Sequence, residues 1–377
     1  MTNLTGRSPS SISNRGSGIK RILTWSSRRS ELSTLGGLWK GLFCSGDDVA
    51  DVRRLPEYPG IKDYEGHLRH TSNWDPSFDP AGKTIAVIGN GASGIQVVPP
   101  LQKVAKHIDH YARSKTWIAG SFGSEKRQDT PVPFSREQLD SFEDSTTYLN
   151  FRKPLETAFY RNFSRILRDS EANRRAREDF TTLMENRLRK KTGLLDQMIP
   201  DFPPFCRRPT PGPGYLEALT EDNVSYITTK IQRFTKTGIV TVDGVSRDVD
   251  AIICATGANI DLVPPFSIVA NGVDLNEAWR ADGPYGSPYT YFGIAAPLFP
   301  NLFFVLGPNS FGFSGTLNYS VETVLTYIAK VLRKLTTQGV KTIVPSKAAT
   351  DDFIEYVDAF FSRTVLSDHC SSWYNGE

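Results

Sequence analysis

Cysteine is scarce in this chain, and the four present, Cys44, Cys206, Cys254 and Cys370, lie far apart with no CxxC pair. That spacing excludes a zinc knuckle and argues against a small disulfide-stapled secreted fold. Cys254 falls in an apolar run and reads as a small core residue. No metal-ligand spacing is present, and no internal repeat is apparent. No apolar run reaches the length of a membrane span, and no signal-peptide core opens the chain. Neither sign of charge dominates: 44 Lys and Arg face 41 Asp and Glu, for a net charge of +3. A balance this close points away from nucleic acid and membrane surfaces as partners. The basic run Arg174 to Arg177 is flanked by Glu171, Glu178 and Asp179 and reads as a solvated helix face. The expected location is cytoplasmic. The Ser-, Arg- and Gly-rich start, whose first acid is Glu31, leaves an organelle transit peptide as the alternative to a disordered arm.

The richest local signal is Gly89-Asn90-Gly91-Ala92-Ser93-Gly94, which follows directly on the apolar run Lys83 to Ile88. In a GxGxxG turn between strand and helix, the first glycine permits the tight turn and the second lets the backbone approach a pyrophosphate. The third lets the helix pack on the strand, and the helix N-terminus offers oriented N–H donors. Gly89, Gly91, Ser93 and Gly94 are therefore candidate cofactor-binding residues. Lys106 to Ala112 supplies a second strand, completing a βαβ unit. An NAD site places an acid near the end of that strand, whereas a 2′-phosphate calls for cations. Arg113, Ser114 and Lys115 occupy the position, which selects NADPH if they face the ligand and is a solvated basic turn if they do not.

The 377 residues, 39% of them hydrophobic, suffice for two cores of α/β type. Residues 136–199 have a charged, amphipathic, helical pattern, expected either to wall a substrate pocket or to serve packing or oligomerisation. Residues 200–214 are crowded with Pro, Gly and Arg and must form a loop. Strands are expected at 223–227, 238–242, 249–254 and 302–306, with a helix over about 320–335. Two of these strands run into Ala255-Thr256-Gly257 and Gly307-Pro308-Asn309, turns that suit ligand contacts at the carboxyl edge of an open sheet, so Thr256, Gly257 and Asn309 join the cofactor-binding candidates.

Tyr64-Glu65-Gly66-His67-Leu68-Arg69-His70-Thr71-Ser72-Asn73-Trp74-Asp75 resembles the fingerprint of the class B flavoprotein monooxygenases, and within them the Baeyer–Villiger monooxygenases of fungal secondary metabolism. Tyr64 stands where that family usually has Phe. The glycine loop, Arg113 to Trp117, Ala255 to Gly257, Phe299 to Phe303 and Gly307 to Asn309 extend the resemblance over most of residues 56–377. It implies NADPH and FAD as cofactors, and molecular oxygen and a ketone of a polyketide-like metabolite as substrates. It also implies that Arg207 helps hold the 2′-phosphate and that Arg208 is the catalytic cation over the flavin. Tyr64, Gly66, His70 and Trp74 become conformational rather than chemical residues.

The implied architecture is a Rossmann-like NADP-binding domain, residues 81–245 with the helical insertion at 136–199, preceded by an N-terminal segment at 1–55 and a fingerprint linker at 56–80. An incomplete FAD-binding part of the two-dinucleotide-binding-domain fold follows at 246–345, then a C-terminal segment at 346–377. The family's first glycine motif, for FAD, has no counterpart here, since Gly6, Gly16, Gly18, Gly36 and Gly37 do not form it. The function expected is thus a FAD- and NADPH-dependent monooxygenase. The alternatives are a truncated non-catalytic remnant or an NADPH-binding partner protein and, below these, a flavin-free NADPH oxidoreductase.

Overall fold

The computed structural model describes residues 55–120, 133–257, 266–310, 317–370 and 372. In chain order it opens with β1 (His67–His70), β2 (Thr84–Ile88), α1 (Ala92–Gln102) and β3 (His107–Tyr111). The insertion follows as α2 (Arg136–Ser141), α3 (Ser145–Arg161), α4 (Glu171–Leu188) and α5 (Leu194–Met198), and then comes α6 (Tyr215–Leu219). Strands β4 (Val224–Ile227), β5 (Ile231–Phe234), β6 (Gly238–Thr241), β7 (Ser246–Asp248) and β8 (Ala251–Cys254) come next. The remainder holds β9 (Val269–Ala270), β10 (Val273–Asp274), α7 (Leu275–Ala278), α8 (Leu317–Thr337) and α9 (Lys347–Phe361).

A five-stranded sheet in the order β1-β8-β2-β3-β4, parallel throughout, organises the molecule. Strand alternation sorts its side chains to two faces. Ile85, Val87, Ile108 and Ile253 point into a core with Ile95 and Val98 of α1, Phe180 and Met184 of α4, and Tyr215 and Leu216 of α6. Ala86, Ile88, Ile252 and Cys254 point the other way, onto Ile231, Phe234 and Ile239 of the antiparallel sheet β5-β6-β7. Because β2 and β8 are covered on both faces, each reads as an unbroken apolar run, as buried parallel strands do. A third core gathers Leu275, Trp279, Tyr289 and Phe299 with Phe304 and Ile354.

Three expectations need correction, and one pairing was not foreseen. Residues 67–70, read as linker, form edge strand β1, paired with β8 through His67↔Ala251 to His70↔Cys254. Strand β8, assigned from sequence to the part beginning at 246, lies between β1 and β2, so a boundary at 245/246 cuts through the nucleotide-binding sheet. Residues 302–306 are not a strand: the segment turns back on itself, with Leu306 at φ 59°, and its aromatic Phe304 packs into the third core instead. Finally, Cys206 and Cys370 are joined in a disulfide across 164 residues, while Cys254 is buried and free as expected.

Candidate nucleotide-binding site

The glycine loop begins where β2 ends. Gly89 has φ 104°, a conformation that disfavours any side chain, and a Cβ there would lie 2.5 Å from the Ala255 carbonyl oxygen. Its N–H donates to the Tyr111 carbonyl at 2.9 Å, fastening the turn to the end of β3. Gly94 sits so close under the turn that a Cβ would come within 1.9 Å of the Gly89 oxygen, which is how α1 packs down on the strand. Gly91, the N-cap of α1, is the opposite case: a Cβ there would meet nothing within 4 Å, and no side chain caps the helix. The loop therefore leaves open space at its second glycine, beside an exposed helix start with N–H groups free of side-chain caps. A pyrophosphate fits that opening. Thr256 and Gly257 extend from β8 beside it, since the Ala255 N–H donates to Ile88 at 2.8 Å and its carbonyl backs Gly89.

The basic residues expected to face a 2′-phosphate do meet. Ser114 and Lys115, just past β3, line a cleft of about 430 Å³ with Arg207, Asp201, Phe202, His369 and Cys370. Arg113 stands near enough to Arg207 to repel it. Burial holds the half-buried Arg207 guanidinium below its ordinary range, and the charge on Arg113 lowers it further. A half-buried guanidinium and a lysine at one cleft, with Arg113 near enough to repel the former, make a site that an anion would relieve. Arg207 Nε donates to the Cys370 carbonyl, and its guanidinium lies 5.0 Å from the Phe202 ring centroid.

The loop carrying Arg207 is hung from two side chains that the sequence reading did not assign. Trp117 Nε1 donates to the Phe202 carbonyl at 3.0 Å. Arg177, expected on a solvated face, instead lies over the Trp117 ring at 5.2 Å and donates to the carbonyls of Asp201 and Phe202 at 2.9 and 3.0 Å. Its neighbours Ala176 and Phe180 are buried, so the run Arg174 to Arg177 straddles the border of the core face, which its composition alone conceals.

Not every candidate gathers here. Arg208 is exposed and outside the cleft lining. Asn309, exposed with φ 65°, belongs to the turn whose Pro308 carbonyl accepts from Thr290 at 2.7 Å. In the fingerprint, the Tyr64 ring lies where a Cβ on Gly66 would be, 2.3 Å from its hydroxyl oxygen, so the aromatic and the glycine form one packing unit. The Tyr64 hydroxyl donates to the Val249 carbonyl at 2.8 Å, a bond that Phe cannot make. His70 is buried at the end of β1, its Nδ1 accepting from the Ser72 N–H at 3.1 Å. Trp74 is 41% exposed, its ring edge-on to Phe78. The loop around Phe311 to Phe313, expected to shape a substrate pocket, lies outside the described residues, as do residues 1–54.

No protein-family profile matches the chain. It is 33% identical over 327 residues to the FAD-binding monooxygenase tazF of Aspergillus terreus, covering 85% of this chain and 57% of that protein. It is 32% identical over 338 residues to the FAD-binding monooxygenase moxY of Dothistroma septosporum, covering 87% and 52%. A Baeyer-Villiger monooxygenase of Pseudomonas aeruginosa is 29% identical, with 85% and 59% covered. Among solved structures, OTEMO in complex with FAD and NADP superposes with a TM-score of 0.70 at 26% identity, covering 86% of this chain and 67% of that one. An open cyclohexanone monooxygenase structure shares the fold at a TM-score of 0.70. The chain spans little more than half the length of the curated relatives it matches. Over the part of their length that it spans, it is similar in sequence to these FAD-binding monooxygenases and in fold to Baeyer–Villiger monooxygenases of known structure.

Proposed function

We propose that this chain carries the NADPH-binding part of a FAD-dependent monooxygenase that oxidises a ketone of a secondary metabolite with molecular oxygen. The observation that supports it most is the convergence of Ser114, Lys115 and Arg207 on one cleft beside the open glycine turn. In this reading the first N–H groups of α1 hold the pyrophosphate at Gly91, with Ser93 and Gly94 in the same turn and Thr256, Gly257 and Asn309 as further contacts. Arg113, Lys115 and Arg207 neutralise the 2′-phosphate, while the Ser114 hydroxyl donates to it. NADPH, when bound, supplies the hydride. FAD supplies the oxygen-activating redox chemistry of such enzymes, but the described residues form one strand–glycine turn–helix cradle, which the nicotinamide nucleotide fills, so no step through the flavin is derived from them. Arg208 is the candidate to stabilise negative charge developing during oxygen transfer. Among the described residues no helix is long and apolar enough to cross a membrane, and we place the protein in the cytoplasm, where NADPH is at hand.

Calorimetric titration with NADPH and NADH tests the reading. NADPH should bind the tighter by roughly 10- to 100-fold, and Arg207→Ala should remove most of that difference, the size expected for a charged hydrogen-bonding partner. Equal affinity for the two nucleotides, or none for either, would overturn it. Oxygen uptake on addition of FAD, NADPH and a cyclic ketone tests the oxygenase assignment separately.

A further inference from the structure

The basic turn needs something to fix it. The parallel ladder carries the chain as far as Ala112, whose N–H donates to Ile227 at 2.8 Å, and the next main-chain tie is at Thr116, whose N–H donates to Met198 at 3.2 Å. Between them lie Arg113, Ser114 and Lys115, the three residues that decide between a ribose hydroxyl and a 2′-phosphate. Long cationic side chains on an unsupported turn spend most of their time hydrated and pointing elsewhere.

We propose that Asn90, the residue between the first two glycines, is the positioning residue that sets this selectivity. The inference rests on the nicotinamide-site reading above. Asn90 is 7% exposed, and its Nδ2 donates to the Ser114 carbonyl at 2.6 Å. That bond turns the Ser114 carbonyl inward, which leaves the Ser114 and Lys115 side chains to line the cleft with Arg207. The same amide lies close enough to the buried Tyr226 hydroxyl to act on it. Burial pushes this hydroxyl up to about 12, and the Asn90 amide draws it back down. Beneath it lies the His110 ring, edge-on to Tyr226 at 5.7 Å, whose Nε2 pairs with the Tyr215 hydroxyl at 2.8 Å. Asn90 is thus seated from below by packed aromatic side chains, and a buried amide with a fixed floor has one rotamer to offer the turn. The pyrophosphate loop and the 2′-phosphate turn become one rigid unit, joined by a single side chain.

The test separates positioning from simple stability. Affinities of the full chain for NADPH, NADH, 2′,5′-ADP and 5′-AMP are measured for the native protein, Asn90→Leu, Asn90→Asp and Tyr226→Phe, with a thermal melt of each. Asn90→Leu keeps the bulk and removes the donor; Asn90→Asp replaces the donor with an acceptor facing the Ser114 carbonyl. Asn90→Leu should weaken NADPH and 2′,5′-ADP by roughly tenfold, the effect of one lost orienting hydrogen bond, while NADH and 5′-AMP hold their affinity; Asn90→Asp, whose charge also repels the pyrophosphate, should weaken all four but the 2′-phosphorylated pair by roughly tenfold more. Tyr226→Phe, which leaves the Asn90–Ser114 bond in place, should keep the native ratio. Equal loss for ligands with and without the 2′-phosphate, or an unchanged ratio in both Asn90 variants, overturns the inference. A native protein that does not discriminate the pairs overturns the nucleotide-site reading itself, so the two failures are distinct. Should both Asn90 variants fail to fold, a loss of the ratio in Asn90→Ser supports the inference and a retained ratio refutes it.

Discussion

Opening the Cys206–Cys370 bond is the perturbation that tests the most physical consequences at once. The bond joins residues 164 positions apart, and both sulfurs are buried, with Cys206 at 0% and Cys370 at 3% exposure. In the chain-entropy account, cross-linking a loop of that length removes enough freedom from the unfolded chain to stabilise the fold by about 5 kcal/mol. At about 2 °C per kcal/mol, the melting midpoint should fall on the order of 10 °C in Cys370→Ser, or in native protein treated with a dithiol. The bond also borders the cleft. Cys370 lines it, its carbonyl accepts from Arg207, and Arg168 pairs with Asp368 two residues earlier, so the C-terminal segment at the cleft is held from both sides. Reduction should therefore weaken NADPH more than NADH. The assay is a melt and a pair of titrations, each with and without dithiol, with alkylation and mass measurement to count free thiols. Two free thiols at positions 206 and 370 after purification without reductant would refute the reasoning. So would a Cys370→Ser protein that melts and binds as the native one does.

Other outcomes follow from single positions. Gly91→Ala should fold normally, since its Cβ meets nothing, yet lose NADPH affinity where the backbone must approach the phosphates; Gly94→Ala should instead lower the melting point, by roughly 1–3 kcal/mol of overpacking against the Gly89 carbonyl. Tyr64→Phe, measured by urea denaturation, should cost about 1 kcal/mol through the lost bond to Val249. His110 is fully buried, and its pKa is lowered by desolvation to about 4, partly offset by its bond to the Val87 carbonyl. Unfolded chains hold that proton below their ordinary histidine value of about 6.5, so this contribution to stability is complete above pH 6.5 and is lost on descending toward pH 4, up to roughly 3 kcal/mol. Denaturation midpoints across that window should slope less in His110→Gln than in the native protein.

What the sequence made legible was local. Strands β2 and β3, the glycine turn between them and the helices of 136–199 each carry their own periodicity or glycine spacing, and each lies where that pattern predicts. Strand β1 did not announce itself, because His67-Leu68-Arg69-His70 is polar and half-buried at a sheet edge, where pairing with β8 and not composition makes a strand. Leu302 to Leu306 shows the converse: an apolar run satisfied by packing into the third core without a ladder. Cys206 and Cys370 could not be paired from spacing, since four cysteines permit several connectivities and 164 intervening residues carry no geometric information.

The site itself draws on both kinds of information, and that explains where it is most sensitive. A parallel sheet brings the carboxyl ends of β2, β3 and β8 to one edge, so the glycine loop, the basic turn and Thr256-Gly257 are neighbours by topology alone. Arg207 has no such claim. It reaches the cleft because Trp117 and Arg177 suspend residues 200–202 by their carbonyls, and because Cys370 anchors the far side. Removing Arg177 would strand the carbonyls of Pro200 and Asp201, leave that of Phe202 to Trp117 alone, and release the Trp117 ring face, though Arg177 is not among the residues lining the cleft. Arg177→Ala should thus reduce NADPH affinity to nearly the level of Arg207→Ala, while Arg177→Lys, which keeps the charge but loses the planar fork that bridges adjacent carbonyls, recovers only part of it. If titration instead shows Arg177→Ala binding as the native protein does, the loop holds its shape without the suspension, and the basic cleft is set by residues 203–208 themselves.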